Sequence, residues 1–145
     1  MEANVKLVEN LKQLLSDQFV IYTKLRNYHW NVKGTNFFRL HSYFEQLYNE
    51  LADDIDEIAE RIKILGYQTP GSMAEFLELS TVKESENSLT SDLDMLKNII
   101  NNYEYLNNKL NNIIESKIDV VTEGMLINLL EKYEKHLWMM KSIFE

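Results

Sequence analysis

The chain has 145 residues, 45% of them hydrophobic, which suits one domain with one real core. It contains no cysteine, so disulfides, thiolate metal sites and a cysteine nucleophile are excluded. The net charge of -8 disfavours contact with DNA phosphate and anionic lipid, and it attracts cations.

Four glycines and one proline predict few turns and long elements. No apolar run is long enough to span a bilayer. The opening Met-Glu-Ala-Asn-Val-Lys lacks the basic segment and apolar core of a secretory signal, so a cytoplasmic protein is expected. Neither end carries a basic tail, which argues against DNA binding.

Residues 4 to 32 carry a helical pattern, with Leu11, Leu15, Gln18, Tyr22, Leu25 and His29 on one face. Val32-Lys33-Gly34-Thr35-Asn36 breaks it. Gly34 can supply a positive φ, and Thr35 or Asn36 can cap the next helix. That second helix is predicted over 36 to 65, with Phe37, His41, Phe44, Tyr48, Leu51, Ile55, Ile58, Ile62 and Leu65 inward. Gly66 ends it, and Pro70-Gly71 forbids an immediate restart. Ser72 and Glu75 have capping-box spacing and open a short amphipathic piece through Leu77.

A third helix is predicted over 87 to 114, with Leu89, Leu93, Leu96, Ile99, Ile100, Tyr103, Leu106, Leu110 and Ile113 inward. Its other face is rich in asparagine, a mediocre helix former, so local fraying is expected there. A fourth helix is predicted over 121 to 144, with Leu126, Leu129, Leu130, Tyr133, Leu137, Met140 and Ile143 inward. The whole reads as one all-α domain over residues 1–145, a helical bundle. The first two helices should form an antiparallel hairpin. The longer stretch from 66 to 86 can cross the bundle, giving an up-down-down-up order.

Two of the three histidines, His29 and His41, flank the first turn. At about 1.5 Å rise per residue they lie at similar heights on adjacent helices. Either alone would read as a satisfied core histidine; the matched pair points to ligands. Around the second helix, with His41 at 0°, Glu45 falls near 40°, Asp56 near 60° and Glu60 near 100°, estimates of about 100° per residue. A solvated acidic face would look the same. Yet imidazole and carboxylate without thiolate suit Fe(II), Mn(II) or Zn(II), and Asp56 and Glu60 at i and i+4 can grip one cation. His41 and Asp56 are 15 residues apart on one helix, roughly 22 Å, which no single ion bridges. Two copies paired antiparallel about a two-fold axis near the helix middle would bring His41 of one beside Asp56 and Glu60 of the other, twice.

The stretch Tyr28-His29-Trp30-Asn31-Val32-Lys33-Gly34-Thr35-Asn36-Phe37-Phe38-Arg39-Leu40-His41, then Asp56-Glu57-Ile58-Ala59-Glu60-Arg61-Ile62, resembles the signature of Dps-type mini-ferritins. Pro70 to Leu79 looks like that family's short helix between the second and third long helices, and Lys135-His136-Leu137-Trp138-Met139-Met140 resembles its closing motif. The resemblance covers nearly the whole chain. It implies a ferritin-like four-helix bundle with a short extra helix in the connection between helices 2 and 3. It also implies a hollow homododecamer with ferroxidase centres at its two-fold interfaces. There Fe(II) would be oxidised, preferably by hydrogen peroxide, and ferric oxide stored inside the shell, protecting against oxidative damage. Zinc could stand in for iron.

By matched position, the resemblance implies His29 and His41 as ligands from one subunit and Asp56 and Glu60 as ligands from its partner. Glu45 matches an acid that can assist a second metal. Trp30 matches an aromatic beside the centre that can take up an electron. Asp119 matches an acid lining pores at three-fold axes; helix-start stabilisation would explain it equally. Gly124 stands where relatives often place another Asp, with Glu123 beside it, which is a departure from the pattern. His136 matches no ligand and reads as a packing or interface residue. The Glu-x-x-His pair of larger ferritins does not occur, nor do the lysine-rich tails through which some relatives bind DNA.

Overall fold

The computed structural model describes residues 2–85 and 91–145. The described residues form helices joined by turns and loops: α1 Glu2–Asn31, α2 Phe37–Ile64, α3 Met73–Leu79, α4 Asp92–Glu115 and α5 Val120–Ser142. The predicted helix start at 87 and the inward placing of Leu89 lie outside the described residues. Ser91 caps α4 by accepting from the Asp94 amide. The asparagine-rich stretch does not fray: α4 is unbroken to Glu115. Several of its asparagines have partners, Asn98 accepting from the Tyr28 hydroxyl at 3.1 Å and Asn102 from the Lys24 ammonium at 2.9 Å.

Paired residues fix the helix directions. Tyr28 meets Asn98, Lys24 meets Asn102 and Asp17 meets Lys109, so α1 and α4 are antiparallel. Tyr43 meets His136, Asp54 meets Tyr133 and Arg61 meets Asp119, so α2 and α5 are antiparallel. With α1 and α2 forming a hairpin, α2 and α4 run parallel, which is the up-down-down-up order. Leu11, Leu25, Phe44, Leu51, Ile58, Leu96, Leu110 and Leu126 fill the centre and are fully buried. Helix α1 is buried over a wider stripe than its periodicity suggested, taking in Leu14, Ile21 and Tyr28, because it packs against α2, α3 and α4 together. Ile143, expected inside, is the exposed C-cap of α5.

The turn between α1 and α2 is anchored from outside the hairpin. Gly34 has φ +122°, and a Cβ there would lie 3.0 Å from the Asp92 carboxylate. That carboxylate accepts from the Asn36 backbone and side-chain amides at 3.1 and 3.2 Å. Asn36 holds the N-cap position of α2 but makes no side-chain cap bond; its amide serves Asp92 instead. The hairpin turn is thereby tied to the first residue of α4.

The long connection is held by one buried carboxylate. Asp17 is fully buried on α1. Its Oδ1 accepts from the Thr81 amide at 2.6 Å, the Ser80 hydroxyl at 2.8 Å and the Val82 amide at 3.2 Å, while Lys109 Nζ meets Oδ2 at 2.9 Å. Ahead of it Phe76 of α3 stacks on Phe19 of α1, ring centroids 4.3 Å apart. Ser72 caps α3, accepting from the Glu75 amide, as the capping-box spacing predicted.

A polar layer crosses the bundle. Gln18 donates to the Tyr133 hydroxyl at 3.1 Å, and Tyr133 donates to Asp54 at 2.8 Å. Burial pushes Asp54 up, against the opposing pull of Lys132 and Tyr133. Burial first, then the Asp54 charge, holds the hydroxyls of Tyr103 and Tyr133 well above the ordinary 10.0. A folded value above the unfolded one means that stability is intact below about pH 10 and falls above it, by roughly 1 kcal/mol per pH unit for each tyrosine. Alkaline titration should therefore show a cooperative loss of helix coincident with a jump in tyrosinate absorbance. Gradual ionisation of every tyrosine with the helix intact would contradict it.

Candidate metal centre

His29 stands in the last turn of α1, where backbone carbonyls lack helical partners. His41 stands in the second turn of α2, on the facing side of the hairpin. Each ring bonds the other residue's backbone: Nδ1 of His29 lies 2.7 Å from the His41 carbonyl, and Nδ1 of His41 lies 2.7 Å from the His29 carbonyl. A carbonyl only accepts, so each Nδ1 carries a proton, and the tautomer this selects places the lone pair on Nε2. This is the outer-shell arrangement that fixes a metal-binding histidine's tautomer and orientation.

The two rings stack with centroids 3.9 Å apart and planes 14° from parallel. Phe37 stacks on His41 at 5.0 Å, and Tyr48 meets His29 edge-on at 5.4 Å. Both neighbours read from sequence simply as core positions; their role as walls of the histidine pair depends on the hairpin's closeness. Glu45 Oε1 lies 3.7 Å from His29 Nε2, on the side where the lone pair points. Trp30 follows His29 and is 65% exposed, and Phe38 beside the turn is 82% exposed. Both aromatics stand exposed at the end of the hairpin that carries the histidines. Periodicity alone did not single out Phe38, though a bulky apolar residue off the inward stripe was a usable sign.

Asp56 and Glu60 lie along α2 well away from the histidines, both exposed. Among the described residues no three His, Asp or Glu side chains of one chain converge on a point suited to a metal ion. The chain sets His29 against His41 on one side and within 3.7 Å of Glu45 on another, short of a converged ligand set, and leaves Asp56 and Glu60 apart.

Asp119 is the N-cap of α5. Its Oδ1 accepts from the Thr122 amide at 2.9 Å and Arg61 at 2.8 Å, and its Oδ2 accepts from the Thr122 hydroxyl at 2.7 Å. Burial would raise its carboxyl, but the Thr122 bonds and Arg61 outweigh that and hold it below the ordinary value. This is the helix-start role that the sequence also allowed. A Cβ at Gly124 would meet nothing within 4 Å, so a side chain there has room. His136, read as a packing residue, is buried and polar-bonded between α2 and α5: Tyr43 lies 2.6 Å from its Nδ1 and Glu50 lies 2.5 Å from its Nε2.

A family model for the ferritin-like domain matches residues 8–145. The chain is 38% identical to DNA protection during starvation protein 2 of Bacillus anthracis, over 96% of this chain and 97% of the relative. It superposes on the crystal structure of Dps from Staphylococcus aureus with TM-score 0.91 at 40% identity, covering 96% of this chain and 95% of the other. A Dps from Vibrio cholerae, described as a member of a broad superfamily of ferritin-like diiron-carboxylate proteins, gives TM-score 0.94 at 29% identity, covering 99% and 92%. The helices, their up-down-down-up order and the short helix in the crossover accord with those relatives, and the chain belongs to the ferritin-like family as a Dps-type mini-ferritin.

Proposed function

We propose that this chain is an iron-oxidising, iron-storing protein whose centres form between two copies. His29 and His41 of one chain and Asp56 and Glu60 of its partner hold Fe(II), with Glu45 assisting where a second ion binds. The observation that carries this reading is the reciprocal histidine brace, which occupies both Nδ1 atoms and leaves the two Nε2 atoms as the candidate donors. Imidazole and carboxylate suit Fe(II), and Zn(II) would bind the same donors. Two Fe(II) give one electron each to hydrogen peroxide, the O–O bond breaks, two protons are taken up and two waters leave. Ferric product then collects inside a homododecameric shell. Trp30, exposed beside the centre, is the nearby aromatic that would take up an electron, as its matched position implies. Asp119 and Glu123 are the acids at the start of α5 that would draw cations toward a pore.

The Bacillus anthracis relative is named for DNA protection. With a net charge of -8, this chain is repelled by phosphate, so protection here runs through removal of Fe(II) and peroxide rather than through DNA contact. No helix among the described residues is long and apolar enough to cross a membrane, and we place the activity in the cytoplasm. The test is the His29→Ala/His41→Ala variant. Its peroxide-driven Fe(II) oxidation should fall by more than about 100-fold, beyond the loss typical of outer-shell changes. A wild-type rate would sink the assignment.

A further inference from the structure

Between α2 and α5 lies a line of three bonded groups that the interface centre does not use. Tyr43 and Glu50 both stand on α2, about two turns apart, and His136 of α5 joins them. The Tyr43 hydroxyl lies 2.6 Å from His136 Nδ1, and Glu50 Oε2 lies 2.5 Å from His136 Nε2. The His136 side chain is 9% exposed and that of Glu50 is 43% exposed. The line therefore runs from a partly buried phenol through a buried ring to a half-exposed carboxylate. Tyr43 is turned about 200° around α2 from His41, away from the histidine pair.

The protons along this line have defined places. A carboxylate only accepts, so Nε2 carries a proton, and the tautomer this selects places the lone pair on Nδ1, where the Tyr43 hydroxyl donates. Taking an electron from a phenol leaves a strongly acidic cation, which is costly unless a base removes the proton in the same event. His136 is placed as that base, and the imidazolium so formed is stabilised by the Glu50 charge bonded to it. Tyr133 offers the comparison, donating to Asp54 at 2.8 Å. There the carboxylate is already paired with Lys132, so a proton arriving on Asp54 would strip the ammonium of its counter-charge. Proton transfer completes a charge pair at Tyr43 and dissolves one at Tyr133.

We propose that Tyr43 is a redox-active tyrosine, giving one electron to a one-electron oxidant while its hydroxyl proton passes to His136 Nδ1 and Glu50 holds the imidazolium formed. The O–H bond breaks, an N–H bond forms, and a neutral phenoxyl radical remains on Tyr43. The oxidant class is a small oxygen radical such as the hydroxyl radical. It takes the electron to become hydroxide, and a solvent proton turns it into water. One electron from a reductant such as Fe(II), with the proton returned from His136, restores the phenol. Iron and peroxide as the source of that radical rest on the proposed function; the donor itself does not.

The experiment uses the full-length, iron-free protein with photogenerated tris(bipyridine)ruthenium(III) as the oxidant, so its result does not depend on the interface centre. Flash oxidation should give a tyrosyl radical by electron paramagnetic resonance, and the Tyr43 share is the part missing from Tyr43→Phe. His136→Ala should slow formation of that share about 100-fold, the low end for loss of a positioned base, and added imidazole should restore part of the rate. Glu50→Gln, at the half-exposed end of the line, should slow it about tenfold, as for loss of one charge-assisted hydrogen bond. No Tyr43 share, a rate indifferent to His136→Ala, or a folded His136→Ala whose rate imidazole does not lift would each overturn the proposal. Should His136→Ala prove unfolded, Glu50→Gln decides, and an unchanged rate there would overturn it as well.

Discussion

Co-assembling two inactive variants in equal amounts, one lacking His29 and His41 and the other lacking Asp56 and Glu60, should restore about one quarter of the wild-type rate of Fe(II) oxidation. The fraction comes from sharing. About half of randomly formed pairs contain one chain of each kind. In such a pair, one centre draws histidines from the acid-deficient chain and acids from the histidine-deficient chain, and is whole. The other centre lacks everything. Each variant alone should stay inactive, and the mixture must be made by refolding or co-expression so that pairs are scrambled. A mixture as inactive as its parents would mean that the four residues do not serve a shared site. The test needs no metal-bound structure, because the roughly 22 Å between His41 and Asp56 along α2 prevents rescue within one chain.

Replacing Asp17 by Ala should destabilise the fold by about 3–5 kcal/mol, the range for stripping one partner from a buried charged pair. The carboxylate is fully buried and accepts from the backbone amides of Thr81 and Val82, two hydroxyls and the Lys109 ammonium. Alanine would leave the ammonium and both amides without that acceptor. Burial already disfavours the charged form of Lys109, with Asp17 opposing that shift. Asp17→Asn keeps the side-chain shape and one acceptor oxygen, so it should cost less than alanine. The measurement is the urea midpoint at fixed protein concentration, because the proposed assembly would couple stability to concentration. A shift in midpoint worth under about 1 kcal/mol would show that the crossover is held mainly by Phe76 and its neighbours instead.

Much of this was legible because helices announce themselves by period. The inward residues Phe44, Tyr48, Leu51, Ile55, Ile58 and Ile62 of α2 follow alternating spacings of 4 and 3, and all are buried. The placement of the candidate residues was legible for a related reason: rise per residue converts spacing into height, so the match between His29 and His41 and the separation of Asp56 could be estimated from position. The charged interior was harder. On α2, Asp53-Asp54-Ile55-Asp56-Glu57 reads as a solvated run, yet Asp54 is buried and Asp53 is exposed. The sign was there in a second stripe, Leu47, Leu51, Asp54 and Ile58. On α1, Leu14, Asp17, Ile21, Lys24 and Tyr28 likewise form a second buried stripe with two charges in it. What such charges meet depends on partners far along the chain, as with Thr81 and Lys109, 64 and 92 residues from Asp17. Periodicity carries no information about where a crossover lands.

The crossed bonds between the two histidines and each other's carbonyls have a thermodynamic consequence. In small structural metal domains the ion's binding energy is folding energy, so withdrawing the ion unfolds the chain. Here the chain's own backbone orients both rings and sets their tautomers. Loading and unloading are thereby separated from the cohesion of the hairpin. On the proposed function, that suits an ion which is substrate rather than scaffold: each Fe(III) would depart for the mineral, and the next Fe(II) would meet donors that never had to be rebuilt.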